Sequence, residues 1–134
     1  MAFIPKSPNT LKNVIELTSN GTYTANTLIS FNRTTGAIQT AGAASIQTEG
    51  LFRVLGSVTT GQTMQVEVID RSSVFVVDSV NNSNTAHTGQ RMILDATGGL
   101  LNNTGTDVGG ATGVFMQIGV VGAAADKKIL AIRA

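Results

Sequence analysis

Hydrophobic side chains recur at every second position over much of this chain, most clearly near its end. In residues 112–134 (TGVFMQIGVVGAAADKKILAIRA), Val114, Met116, Ile118 and Val120 alternate with Phe115, Gln117 and Gly119. A period of two is the signature of a strand with one buried face. The uniformly apolar set is expected to face the core, so Ile118→Asp is expected to unfold the domain. After Gly122 a run of alanines leads to Asp126 and Lys127, where a turn is expected. Beyond it Lys128, Leu130 and Ile132 fall on one face, with Ile129, Ala131 and Arg133 on the other. This last strand is expected to pair with strands formed earlier.

The same alternation runs through the preceding text. Residues 14–18 (VIELT) read as a strand, and Ser19, Asn20 and Gly21 as a hairpin-type turn after which Tyr23 and Thr24 would resume pairing. Residues 27–32 (TLISFN) form a strand that Thr35 and Gly36 turn into residues 37–40. Residues 51–58 (LFRVLGSV) carry Gly56 inside a strand, which predicts a bulge or bend. Thr59, Thr60 and Gly61 make the next turn. In residues 63–70 (TMQVEVID), Met64, Val66 and Val68 are expected inward, with Gln65 and Glu67 outward. Residues 74–77 are continuously apolar, as in a strand covered on both sides. Residues 90–96 (QRMILDA) place Met92 and Leu94 inward. Polar loops are read at 80–88 and at 100–113, the longest irregular stretch.

No segment sustains a period of 3.6. Short strands with turn signals every ~8–12 residues predict an all-β fold, a small β-barrel or sandwich. Both prolines, Pro5 and Pro8, lie in residues 1–13, which read as an extended N-terminal arm carrying Phe3 and Ile4. Residues 14–134 are then a single β-domain. The competing reading of the arm is a frayed terminus.

Composition narrows the function. A chain of 134 residues suits one domain with a core of its own. With no Cys, a disulfide scaffold, a thiol nucleophile and a Cys-ligated zinc are excluded. Net charge is +1 and only 13% of residues are charged, mostly scattered singly. Phosphate tracking needs clustered cations, so no nucleic-acid partner is expected. No window reaches the ~20 apolar residues of a membrane span, and residues 1–12 lack a signal-peptide core. A soluble protein made in the cytoplasm is expected.

Candidate chemistry is thin. The one histidine, His87, sits in an Asn-rich loop without a nucleophile elbow, although Asp78 or Asp95 would be needed to orient it in a triad. The carboxylates Glu16, Glu49, Glu67, Asp70, Asp78, Asp95, Asp107 and Asp126 show no paired spacing, and several fit strand ends as turn formers. Asn102, Asn103 and Asp107 supply oxygens without the spacing of a calcium loop. The glycine-rich segments lack the lysine and the strand–loop–helix context of a phosphate cradle. One Tyr, five Phe and no Trp leave little for stacking on sugars or bases. No enzyme activity, cofactor or metal is expected.

Two segments carry a resemblance. TLISFNRTTGAIQTAGAA followed by LFRVLGSVTTGQTMQVEVI is similar to the β-module of the lambda-head type of capsid decoration (cement) proteins of tailed bacteriophages. GVFMQIGVVGAAADKKILAIRA resembles the ends of small proteins encoded among phage head genes. The chain differs from the lambda type in lacking a long polar N-terminal tail. The resemblance implies a structural protein on the virion surface, bound to the major capsid protein, as a homotrimer at quasi-threefold positions. It assigns the arm, with Phe3, Ile4, Pro5 and Lys6, to capsid contact, and Leu100, Leu101 and Val108 to the subunit interface. The alternative reading is a carbohydrate- or receptor-binding module of a phage tail fibre or baseplate, motivated by the Asn/Gly/Thr loops at 81–88 and 100–113.

Overall fold

A computed structural model of the chain describes residues 3–5, 13–32, 34–42, 50–70, 74–80, 85–94, 100–101 and 115–133. The described residues form two sheets of short strands, and the all-β architecture follows the alternation in the sequence. Sheet A contains β1 (Ile4–Pro5), β7 (Val74–Ser79), β8 (Arg91–Met92), β9 (Leu100–Leu101), β10 (Phe115–Val121) and β11 (Lys128–Arg133). Its order is β1-β7-β11-β10-β8, with β9 also on β7. Sheet B holds β2 (Val14–Thr18), β3 (Leu28–Phe31), β4 (Ile38–Thr40), β5 (Phe52–Val54) and β6 (Thr63–Val68), in the order β2-β6-β5-β3-β4.

Sheet A curls into a half-barrel. β1 and β9 share the outer edge of β7, where Ile4 pairs with Val76 and Leu100 with Asp78, the latter in parallel. At the opposite end the chain leaves β8, and Leu94 bridges back to Leu101. All other strand pairs are antiparallel; β3–β4, β5–β6 and β10–β11 are consecutive in the chain, whereas β1–β7, β2–β6 and β7–β11 join segments distant in sequence.

The larger core fills the half-barrel. Phe3, Phe75 and Phe115 are fully buried there with Met92, Leu94, Leu101, Ile129 and Ala131. Phe3 meets Phe115 at 5.0 Å and Phe75 edge-on at 5.7 Å between ring centroids. Leu28, Ala41, Leu51 and Ile69 enter the same cluster from sheet B. The other face of sheet B builds a smaller core from Ile29, Val54, Met64 and Val66 beneath Tyr23 and Val58. Tyr23 and Val58 bridge each other across this face, and the Tyr23 hydroxyl donates to Asn20 Oδ1 at 2.7 Å.

Turns use the expected chemistry. The Asn32 carboxamide oxygen accepts from the N–H groups of Thr34 and Thr35, and Gly36 takes φ +73°, which closes β3 onto β4. The 3-10 turn Ala124–Asp126 links β10 to β11, and its Asp126 carboxylate accepts from the Ala123 N–H at 3.0 Å.

Several expectations are corrected. Residues 19–21 do not make a hairpin: β2 pairs with β6, and Ser19 donates its N–H to the Gln62 carbonyl at 2.9 Å. Residues 51–58 leave the strand at Val54 and not at Val58, while Gly56 lies in a bend as expected. Residues 74–77 are not buried on both sides, since Phe75 and Val77 point inward and Val74 and Val76 are half-exposed. Glu67 points into the fold, 3% exposed, against Arg53. In β10 up to the bulge the inward set is the reverse of the expected one. Phe115 and Gln117 are buried and Ile118 is 39% exposed. A bulge between Gln117 and Gly119 then shifts the register by one residue, so Val120 rejoins the core. In β11, Ile129 and Ala131 are the buried face. Within the segment read as an extended arm, Ile4 and Pro5 form β1 and extend sheet A.

Candidate interaction surface

Alternation in sheet A that buries Phe75, Val77, Ile129, Ala131, Phe115 and Gln117 must send their neighbours outward. The register aligns those neighbours in rows. Ile4 lies opposite Val76, Val76 opposite Leu130, and Leu130 opposite Gly119. Val74 lies opposite Ile132, Ile132 opposite Met116, and Met116 opposite Arg91. Ile118 stands beside these rows at the bulge. The outward face of sheet A is therefore aliphatic where an antiparallel sheet facing water is normally polar. Ile4 is 42% exposed and Ile118 39%. The exposed ion pair of Lys128 Nζ with Asp78 Oδ1, at 2.8 Å, marks one rim, and Arg91 marks the other.

Sheet B has a second apolar area on the face that carries its smaller core. Ile15 and Phe31 lie at its margin and are exposed. Phe31 packs edge-on against Phe52, centroids 5.6 Å apart and planes at 89°. Val14, on the opposite face of β2, is also exposed. Single exposed apolar residues are ordinary, whereas rows of them rimmed by charge mark surfaces that pack against other molecules.

A groove of about 350 Å³ is lined by Gly56, Ser57, Val58, Thr63 and Gln65. It lies beside the Tyr23–Val58 bridge, and Ser57 Oγ accepts from the Ala25 N–H at 2.9 Å.

The residues singled out from the sequence are dispersed. Phe3 lies in the core, so a contact role for its side chain is corrected: a ring with no exposed surface cannot touch a partner in this fold. Ile4 remains exposed, Pro5 pairs with Phe75 through β1, and Lys6 lies outside the described residues. Leu101 is likewise buried and unavailable to a subunit interface. Leu100 pairs with Asp78, and Val108 lies outside the described residues. His87 closes the short 3-10 turn Thr85–His87, and its carbonyl accepts from the Gln90 N–H at 3.0 Å. Asp78, one possible orienter of that histidine, is instead bound to Lys128. Asp95, Asp107, Glu49, Asn102 and Asn103 lie outside the described residues, as do most of the loops at 81–88 and 100–113. Among the described residues no cluster of His, Asp or Glu is placed to hold a metal ion, and no helix is long and apolar enough to cross a membrane.

Alternation did not reveal the outward aliphatic rows because both faces of β7, β10 and β11 are apolar. That two-sided pattern was the available signal, since it implies either cover on both sides or an unusually apolar surface. No family model matches the chain, and no curated protein matches it.

Proposed function

We propose that the chain is a structural virion protein that binds the outer surface of a phage capsid and reinforces it. The observation that carries this reading is the outward aliphatic face of sheet A, with Ile4 and Ile118 exposed beside Val74, Val76, Leu130 and Ile132. A reinforcing protein needs a rigid frame and a surface that gains free energy when covered. Burial is worth ~25 cal/mol per Å² of apolar area. The low charge, 13% of residues, lowers the desolvation cost of such packing. The major capsid protein is the partner in this reading, and a homotrimer at threefold positions is its assembly. Because Phe3 and Leu101 are in the core, the contact falls to the sheet face and to Ile4.

The test mixes purified protein with undecorated capsid shells. Cosedimentation and a gain in heat resistance are expected. Ile4→Asp and Ile118→Asp together should leave the fold intact and weaken attachment about tenfold or more. Shells that neither bind the protein nor gain resistance overturn the reading.

The groove at Ser57, Thr63 and Gln65 favours a second reading, a carbohydrate- or receptor-binding module of a tail fibre or baseplate. Its volume is within the ~300–1,000 Å³ range of small-molecule sites and its hydroxyl and amide groups suit a polyol. A glycan screen in which Gln65→Ala abolishes binding would favour it over capsid attachment.

A further inference from the structure

Sheet edges are where a β-protein is open to strand addition, and natural folds block them. Three of the edges here are blocked by identifiable devices. β1 carries Pro5, which has no N–H to offer. On β4 the outward Ile38 carbonyl already accepts from Asn20 Nδ2 at 2.9 Å and from the Tyr23 hydroxyl at 3.2 Å. The β8 end is turned back by the Leu94–Leu101 bridge.

β2 has no such device among the described residues. It pairs with β6 on one side only, in the register Val14 to Glu67 through Thr18 to Thr63. Asn13 accepts from the Val68 N–H and Ser19 donates to Gln62, so the odd-numbered residues carry the bonds to β6. The N–H and C=O groups of Val14, Glu16 and Thr18 therefore point away from the sheet. Val14 and Ile15, on opposite faces, are 41% and 39% exposed.

We infer that the β2 edge takes an extended strand of a partner protein, with aliphatic residues on both faces and a cation opposite Glu16. The edge geometry requires an extended backbone, because only that matches donors and acceptors repeating at alternate residues. Glu16 decides against a second copy of this chain. In the antiparallel self-pair that uses Val14, Glu16 and Thr18 together, Glu16 stands directly opposite its twin, and like charges there are destabilising. A shift of two residues separates the carboxylates but loses one of the three hydrogen-bonded pairs. A lysine or arginine opposite Glu16 turns the repulsion into attraction in full register. This inference does not depend on the partner being a capsid.

The test uses the full chain and two synthetic nine-residue peptides with valine on both faces and threonine at the ends, one with a central lysine and one with a central glutamate. Amide hydrogen exchange is followed residue by residue. The lysine peptide should slow exchange at Val14, Glu16 and Thr18 about tenfold, leaving Ile15 and Leu17 unchanged. The glutamate peptide should do far less, and Glu16→Lys should reverse the preference. Thr18→Pro removes one outward N–H without touching the ladder to β6 and should weaken the effect. Three results overturn the inference: no change with either peptide, equal changes with both, or concentration-dependent protection of the same amides in the protein alone with a doubling of mass. The last would assign the edge to a second copy.

Discussion

Arg53 Nη2 lies 3.3 Å from Glu67 Oε1, and the two side chains are only 6% and 4% exposed. The residues are direct cross-strand partners on β5 and β6. Arg53 also donates through Nη1 to the Asn26 side-chain oxygen at 2.5 Å. Asn26 holds φ +68°, donates its N–H to Val54 at 2.7 Å, and accepts from the Phe3 N–H at 3.0 Å. The ion pair thus fixes the corner by which sheet B grips the segment leading into β1. Removing either side chain takes a buried ionic partner from the other, so Glu67→Leu or Arg53→Met alone should cost ~3–5 kcal/mol. The double variant Arg53→Met with Glu67→Leu should recover most of that loss, since both charges leave together. Urea midpoints of the four proteins in this cycle measure it, and additive losses would show that the pair is not coupled.

The two faces of β10 and β11 make opposite predictions. Ile118 is 39% exposed while Ile129 is fully buried in the half-barrel. Ile118→Asp should change stability by no more than ~0.5 kcal/mol, as for other surface substitutions. Ile129→Ala should cost ~2–5 kcal/mol through lost burial and a residual cavity. Urea unfolding distinguishes them. A collapse of the Ile118 variant would mean that its face is covered.

Strand existence was legible in the sequence far more than strand orientation. Residues 63–68 alternate, and Met64 and Val66 are buried as the pattern requires. The same rule failed at Glu67, because a charge can be buried when its cross-strand neighbour neutralises it, and register decides who that neighbour is. It failed again in β10 because the polar Gln117 is buried beside Phe115 while the apolar Met116 and Ile118 face outward. With apolar side chains on both faces, one residue of slip reverses the assignment, and the bulge at Gln117 and Gly119 supplies it. Met116 and Ile118 of the candidate surface are those reversed residues, so that part of it was hidden for the same reason. The contact roles of Phe3 and Leu101 came from resemblance. Long-range pairings, Ile4 with Val76 and Leu94 with Leu101, put both side chains inside.

Phe3 ties the first residues to the fold. Its ring touches Phe75 and Phe115, and its N–H donates to Asn26. Phe3→Ala should cost ~3–5 kcal/mol, as for other buried aromatics. Removing residues 1–5 should cost at least as much, since it also uncovers the β7 edge. Thermal melting of the truncated protein measures this, and an unchanged midpoint would place Phe3 outside the core.

Gly122 holds φ +70°, and a Cβ built there would come within 2.7 Å of Asp126 Oδ2. That carboxylate accepts from the Ala123 N–H at the start of the turn into β11. Gly122→Ala should therefore cost ~1–3 kcal/mol from the left-handed backbone and the displaced carboxylate together. Adding Asp126→Ala removes the collision but keeps the backbone cost and loses the Ala123 bond, so stability should not return to the starting value. Melting temperatures of both variants measure it.

Burial pushes the Tyr23 phenol above its ordinary value of 10.0. The neutral hydroxyl is the form that donates to Asn20 Oδ1 and to the Ile38 carbonyl. In the unfolded chain the phenol ionises near pH 10, whereas in the folded protein it stays protonated to higher pH. Its contribution is therefore fully present below pH 10 and is lost as pH rises through the folded value. The chain has a single tyrosine, so the tyrosinate absorbance reports this one group. Titration should show a midpoint above 10 in the folded protein and near 10 in urea. Tyr23→Phe should lose ~1 kcal/mol at neutral pH from the missing hydrogen bonds, and it should remove the part of the alkaline loss that tracks the phenol. An identical alkaline stability profile in the Phe variant would show that other groups govern it.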